Sequence, residues 1–260
     1  MTDETFSISV NGHSLRVKLI FPIEGISGDA PTLVLLHEGL GSIGQWKDFP
    51  EALAEATGLA AVVFDRYGFG GSGPLMIPRD GSYLQREDIS SLVGVLEHCQ
   101  IEYPVLIGHS DGGTIALLYA AAFPERPLGV IVEAAHVFVE DATRNGITAA
   151  DKAFKDGGLA GRLARYHGDN TEAMFNRWVD DWLSSEFEKW NIKEILPSIH
   201  CPVLVIQGED DEYGTLDQVD AICAGVSGVA ERFIIPGCGH SPHIQARGAV
   251  LHKITDFIEL

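Results

Sequence analysis

Val105-Leu106-Ile107-Gly108-His109-Ser110-Asp111-Gly112-Gly113-Thr114 is the stretch on which the reading of this chain turns. It opens with an apolar run suited to a buried strand. It closes on Thr114, where a helical pattern begins and continues to Phe123. Between them Gly108-His109-Ser110-Asp111-Gly112 has the form G-x-S-x-G, which between a strand and a helix describes a sharp turn. Such a turn exposes one serine hydroxyl at the C-terminal edge of a sheet, beside a helix N-terminus, and glycines let the backbone bend that tightly. Ser110 is therefore the candidate nucleophile. A serine hydroxyl reacts weakly unless a base takes its proton and an acid orients the base.

In a strand-turn-helix setting of this kind those partners are expected downstream, acid before histidine. After the apolar run Val203 to Ile206 comes Gln207-Gly208-Glu209-Asp210-Asp211-Glu212, and after Phe233 to Ile235 comes Pro236-Gly237-Cys238-Gly239-His240. His240, on a glycine-rich loop before the last helix, is the expected general base. Asp211 is preferred as its orienting acid, with its neighbour Asp210 the alternative and Glu133 a distant third; His243 reads as structural. Acyl transfer also needs donors for an oxyanion. The backbone N–H of Asp111 is one, and that of Gly39 in His37-Glu38-Gly39-Leu40-Gly41-Ser42 is the expected second, with Leu40 the alternative. His37 and His109 read as parts of motifs that shape backbone.

Further out, short β-branched runs alternate with longer helical patterns, which predicts an α/β fold with a mostly parallel sheet of about eight strands covered by helices. Asn11-Gly12, between Phe6–Val10 and Ser14–Phe21, predicts a tight antiparallel hairpin. The runs Leu33–Leu36, Ala60–Phe64, Val105–Ile107, Gly129–Val132, Val203–Ile206 and Phe233–Ile235 read as buried strands. Helices are expected over Trp46–Ala56, Tyr83–Leu96, Thr114–Phe123, Thr215–Ala224 and His243–Ile258. From about Val137 to Ser198 the pattern is helical with no strand, so residues 137–198 are expected to form an inserted cap on a core of 1–136 and 199–260. Aromatic residues are frequent in that insertion, and helix packing accounts for most of them.

Composition narrows the partners. The 260 residues carry 18 Lys and Arg against 37 Asp and Glu, a formal charge of −19. A chain this acidic is repelled by phosphate backbones and anionic membrane surfaces, so neither nucleic acid nor membrane is an expected partner. The longest apolar run, Ile115 to Phe123, falls far short of the ~20 residues that cross a bilayer. Met1-Thr2-Asp3-Glu4-Thr5 is acidic where a secretory signal is basic, and the expected address is cytoplasmic. Cys99, Cys201, Cys223 and Cys238 form no C-x-x-C pair, so neither a zinc cluster nor a redox motif is signalled.

Taken together, the H-x-G segment with Trp46 after it, Asp65-Arg66-Tyr67-Gly68-Phe69-Gly70-Gly71-Ser72, the turn at Ser110, Gly208-Glu209-Asp210-Asp211 and His240 resemble the α/β-hydrolase superfamily across nearly the whole chain. The resemblance implies a cofactor-free hydrolase with a helical cap over the nucleophile, and its G-x-x-D pattern supports Asp211. One departure stands out: the usual oxyanion segment begins His-Gly, whereas Glu38 follows His37. Serine at the turn disfavours the branches that attack with a carboxylate. The expected activity is hydrolysis of a small, neutral ester or lactone through an acyl-enzyme. Carbon–carbon hydrolases of ring-cleavage diketones and enol-lactonases are the alternatives. A small-molecule receptor with a retained triad is the alternative of another class.

Overall fold

The computed structural model describes residues 1–22, 30–74 and 89–259. Its strands are β1 (Thr2–Val10), β2 (His13–Phe21), β3 (Thr32–Leu36), β4 (Ala60–Phe64), β5 (Pro104–His109), β6 (Gly129–Glu133), β7 (Val203–Gly208) and β8 (Ala230–Ile235). They form one sheet in the spatial order β1-β2-β4-β3-β5-β6-β7-β8. β1 and β2 pair antiparallel through a turn at Asn11 and Gly12, whose φ values of 52° and 80° are those a tight hairpin turn requires. β2 runs antiparallel to β4, and the pairings from β4 across to β8 are parallel. The α/β class and the eight strands agree with the sequence reading.

The helices are α1 (Phe49–Thr57), α2 (Ile89–His98), α3 (Asp111–Ala122), α4 (Asp141–Lys155), α5 (Gly158–His167), α6 (Thr171–Leu183), α7 (Leu216–Gly225), α8 (Pro242–Gln245) and α9 (Arg247–Ile258). Because side chains alternate along a strand, successive residues of β3 and β4 feed opposite layers. Val34, Leu36, Val62 and Phe64 join a core with α2, α3 and α7. Leu33, Leu35, Ala61 and Val63 join a second core with α1 and α9. α3 is buried from Asp111 through Ala120, which explains why its sequence lacks a polar face.

Several boundaries differ from expectation. The helix expected over Trp46–Ala56 is a 3₁₀ turn, Ile43–Trp46, followed by α1, with Lys47 at φ 58° between them. The one expected over His243–Ile258 is split into α8 and α9 by Ala246, whose φ of −127° leaves the helical region. Of the helix expected over Tyr83–Leu96, residues 83–88 lie outside the described residues, and the remainder runs on to His98. β8 begins at Ala230, earlier than its apolar run, because an edge strand tolerates the half-exposed Glu231 and exposed Arg232. β1 likewise extends back to Thr2 through mostly exposed polar residues.

Between β6 and β7 the chain forms α4, α5 and α6 with short 3₁₀ turns, and its only contact of strand type among the described residues is a single bridge, Phe138 to Asn191. Phe154 and Phe175 stack at 3.8 Å, and Trp182, Phe187 and Trp190 pack on one another at 4.8 to 5.9 Å. His167, at the end of α5, ties these helices to the sheet's loops. Its Nδ1 accepts the Gly70 N–H at 2.9 Å and its Nε2 donates to the Leu40 carbonyl at 2.9 Å.

Candidate active site

β5 ends at His109 and α3 starts at Asp111, so Ser110 alone makes the turn, at φ 52° and ψ −117°. That conformation is strained for a residue with a Cβ. Tight packing enforces it. A Cβ on Gly108 would overlap the backbone of Gly112, and one on Gly112 would overlap the carbonyl oxygen of Leu36, so α3 sits directly against β5 and the end of β3. The Ser110 N–H donates to the Glu133 carbonyl at 2.8 Å, which ties the turn to β6.

Beyond β8, His240 reaches the same place. Its Nδ1 lies 2.8 Å from Asp211 Oδ1 and 2.9 Å from Oδ2, and its main chain is gripped on both sides. The Glu212 carboxylate accepts the His240 N–H at 3.3 Å, while His109 Nε2 donates to the His240 carbonyl at 2.7 Å. Asp211 is held in turn by the Tyr213 N–H at 2.8 Å and Gln207 Nε2 at 2.7 Å. Burial alone would lower the basicity of His240, but the hydrogen bond and charge of Asp211, with smaller help from Glu38 and Glu212, raise its pKa above the ordinary value. Burial acts on Asp211 in the opposite sense, and the His240 contact outweighs it to keep that carboxyl below its usual range. Asp210 is exposed, and it donates its main-chain N–H to the Cys238 carbonyl.

Ser110, Asp111, Gly39 and His240 line one cavity of about 480 Å³, and the α4–α6 segment supplies further wall through Leu163, Tyr166, Trp178 and Trp182. Ser110 Oγ makes no hydrogen bond to His240 in this structure; the two groups share the cavity, and His240 Nε2 is not engaged by any described residue. Such contacts often tighten only when substrate is bound.

The His37–Ser42 loop is shaped by buried cross-links that sequence reasoning did not find. Arg66, fully buried, donates through Nη2 to the Glu38 carbonyl at 2.7 Å and lies 3.7 Å from the Asp111 carboxylate. His37 Nδ1 donates to the Glu38 carbonyl and its Nε2 accepts the Arg66 N–H at 3.1 Å, so His37 serves backbone shape as expected. Asp65 accepts from the N–H groups of Ile43 at 2.7 Å and Gly71 at 2.8 Å, joining this loop to the one after β4. The Leu40 N–H is directed to Glu38 Oε2 at 3.4 Å, and Gly39 lines the cavity. Trp178 of α6 packs so closely on Gly39 that a Cβ there would collide with its indole nitrogen. Glu38 itself lines the cavity, and burial foremost pushes its carboxyl pKa up.

Two other histidines border the cavity. His136 Nε2 pairs with the Tyr213 carbonyl at 3.1 Å, and burial lowers the pKa of the ring. Because a carbonyl only accepts, His136 Nε2 is the donor. His243, expected to be structural, has a carboxylate partner that lies far away in sequence: Glu133 accepts its N–H at 3.0 Å and its Nδ1 at 2.9 Å. Glu133, weighed from sequence as an acid for His240, pairs with His243 instead. Among the described residues, no cluster of three or more His, Cys, Asp or Glu has the arrangement of a metal site, and no helix is long and apolar enough to cross a membrane.

Residues 33–252 match the sequence profile of the Alpha/beta hydrolase family. The chain is 26% identical to a mouse protein, serine hydrolase BPHL, over 97% of its own length and 85% of that protein's. Among solved structures it is similar to a 2-hydroxy-6-oxo-6-phenylhexa-2,4-dienoate hydrolase from Rhodococcus sp. strain RHA1, with a TM-score of 0.83 at 17% identity over 100% of both chains. It is also similar to an enol-lactonase from Burkholderia xenovorans LB400, with a TM-score of 0.75 at 18% identity, covering 98% of this chain and 100% of that one. At these identities the solved structures carry the fold.

Proposed function

The chain belongs to the alpha/beta hydrolase family, and from that premise we propose that it is a serine hydrolase acting on a small, neutral ester or lactone. The observation that carries the reading is the Asp211–His240 pair, closed at 2.8 Å, opening onto the cavity that also exposes Ser110. In the proposed cycle Ser110 Oγ attacks the substrate carbonyl while His240 Nε2 takes its proton. Asp211 holds the Nδ1–H and favours the imidazolium. The N–H groups of Gly39 and Asp111 receive the oxyanion. The tetrahedral intermediate collapses, His240 protonates the departing alcohol, and water returns through the same steps to release the acid. Helices α4–α6 act as the cap, since their side chains wall the cavity over Ser110.

Size and charge support the substrate class. A cavity of about 480 Å³ is at the small end of ligand sites. Glu38 and Glu212 on its wall oppose a negative group beside the scissile bond. The test is hydrolysis of p-nitrophenyl esters from acetate to decanoate, with burst and steady state followed together. Turnover with a short-chain optimum is expected. Labelling of Ser110 by a fluorophosphonate without ester turnover would overturn the ester reading and direct attention to carbon–carbon substrates such as ring-cleavage diketones.

The pH dependence follows from His240. Only the neutral ring accepts the serine proton, so activity falls as pH drops through its pKa. Because that pKa is raised above the ordinary 6.5, the acidic limb of kcat/KM for a neutral ester should have its midpoint above 6.5. A profile from about pH 5 to 9 checks this. A midpoint below the ordinary histidine value would show that Asp211 does not govern the base.

A further inference from the structure

Two carboxylate–histidine pairs border this cavity, and the catalytic cycle uses one. The second, Glu133 with His243, is buried more deeply: the Glu133 side chain is fully enclosed and His243 is 4% exposed. Glu133 Oε2 takes both hydrogen bonds from His243, while Oε1 has no hydrogen-bond partner. A buried carboxylate with one oxygen lacking a hydrogen-bond partner is poorly compensated, and buried polar pairs of this kind are weak sources of stability compared with apolar side chains of similar size. The pair needs a reason other than stability.

Its position supplies one. Glu133 is the last residue of β6 and the register partner of His109 on β5. Its carbonyl accepts the Ser110 N–H, while its carboxylate anchors the start of α8, three residues past His240. The His243 ring meets His109 edge-on, with centroids 5.0 Å apart, and Trp46 backs it at 4.5 Å. His109 in turn spends its Nε2–H on the His240 carbonyl. One residue thus touches the nucleophile's turn through its main chain and the base's loop through its side chain. The chain of contact Glu133–His243–His109–His240 joins the two.

We infer that Glu133 and His243 form a positioning dyad, which fixes the loop bearing His240 relative to Ser110. Neither residue exchanges a proton with substrate in this scheme. The inference rests on the serine-hydrolase reading, and the experiment keeps the two apart. Glu133→Gln keeps an acceptor but removes the charge, and His243→Phe keeps a ring but removes both the imidazole and its bond to the carboxylate. Active sites are titrated with a fluorophosphonate and kcat is expressed per titrated site, well below each variant's Tm.

Each variant should lose about tenfold or more in kcat and in phosphonylation rate, with KM within threefold of wild type. The double variant should be little worse than the worse single one, because the two act as a unit. A lower Tm with kcat per titrated site within twofold of wild type would make the pair purely structural and overturn the inference. A rise in KM at unchanged kcat would overturn it too, by making His243 a substrate contact. Should either variant fail to fold, His243→Leu, which is smaller than phenylalanine and makes no side-chain hydrogen bond to Glu133, is measured the same way, with the same two outcomes deciding. Failure of the wild type to label at Ser110 removes the hydrolase reading itself.

Discussion

Ser110→Ala is expected to lower kcat by about a million-fold, to the level of background hydrolysis. No other described hydroxyl stands at the junction of β5 and α3, the turn that the proposed cycle uses for its nucleophile. The substitution is a clean one. Alanine keeps the Cβ, so the backbone at φ 52° is no more and no less strained, and the Ser110 N–H bond to Glu133 is retained. Stability should change by no more than about 0.5 kcal/mol, the range of substitutions that disturb no packing. The measurement is steady-state hydrolysis of the best p-nitrophenyl ester alongside thermal unfolding. Wild-type activity in this variant would remove the acyl-enzyme mechanism.

Asp211→Asn should cost about 10⁴-fold in kcat, by analogy with the loss of the acid's charge in other serine triads. Here the surroundings sharpen the effect. Both carboxylate oxygens already face donors, the Tyr213 N–H on Oδ1 and Gln207 Nε2 on Oδ2, besides the imidazole. Whichever oxygen becomes an amide NH₂ then meets another donor, an unpaired contact worth about 1–3 kcal/mol. Gln207 has little freedom to turn, since the same nitrogen also donates to the Gly214 carbonyl at 3.1 Å. With the charge gone, the acidic midpoint of the residual activity should move to lower pH, because Asp211 is the chief group raising the His240 pKa. Asp210→Asn is the control, and kcat within about threefold of wild type is expected for this exposed side chain. A reversed order of damage would make Asp210 the orienting acid.

Much of this arrangement was legible because local pattern and chemistry coincide. A strand-turn-helix around Ser110, an acid after β7 and a histidine after β8 are each readable from a few consecutive residues. Asp211 was preferred over Asp210 on the G-x-x-D pattern of the resemblance, and coordinates add that its side chain is the one that meets the ring. The Glu133–His243 pair was not legible for a different reason: the two residues are separated by 110 positions, Glu133 was weighed only as a partner for His240, and His243 read as structural. Arg66 was hidden in the same way, because a buried arginine is identified by the carbonyl and carboxylate it meets rather than by its neighbours in sequence. The break at Ala246 went unread because no proline or glycine occupies the joint. Helical periodicity continues smoothly through a residue whose backbone leaves the helix.

The backbone at Ser110 has a consequence for how such proteins diverge. Glycine would occupy φ 52° with less strain than any residue carrying a Cβ, by an amount on the order of 1 kcal/mol. On the proposed mechanism, selection for robustness alone favours losing the nucleophile, and only selection for turnover holds serine in place. Where that pressure lapses, the fold should outlive the chemistry, leaving a sturdier protein with the same cavity. The path from enzyme to ligand receptor on this scaffold then runs downhill in conformational energy, while the return path must climb.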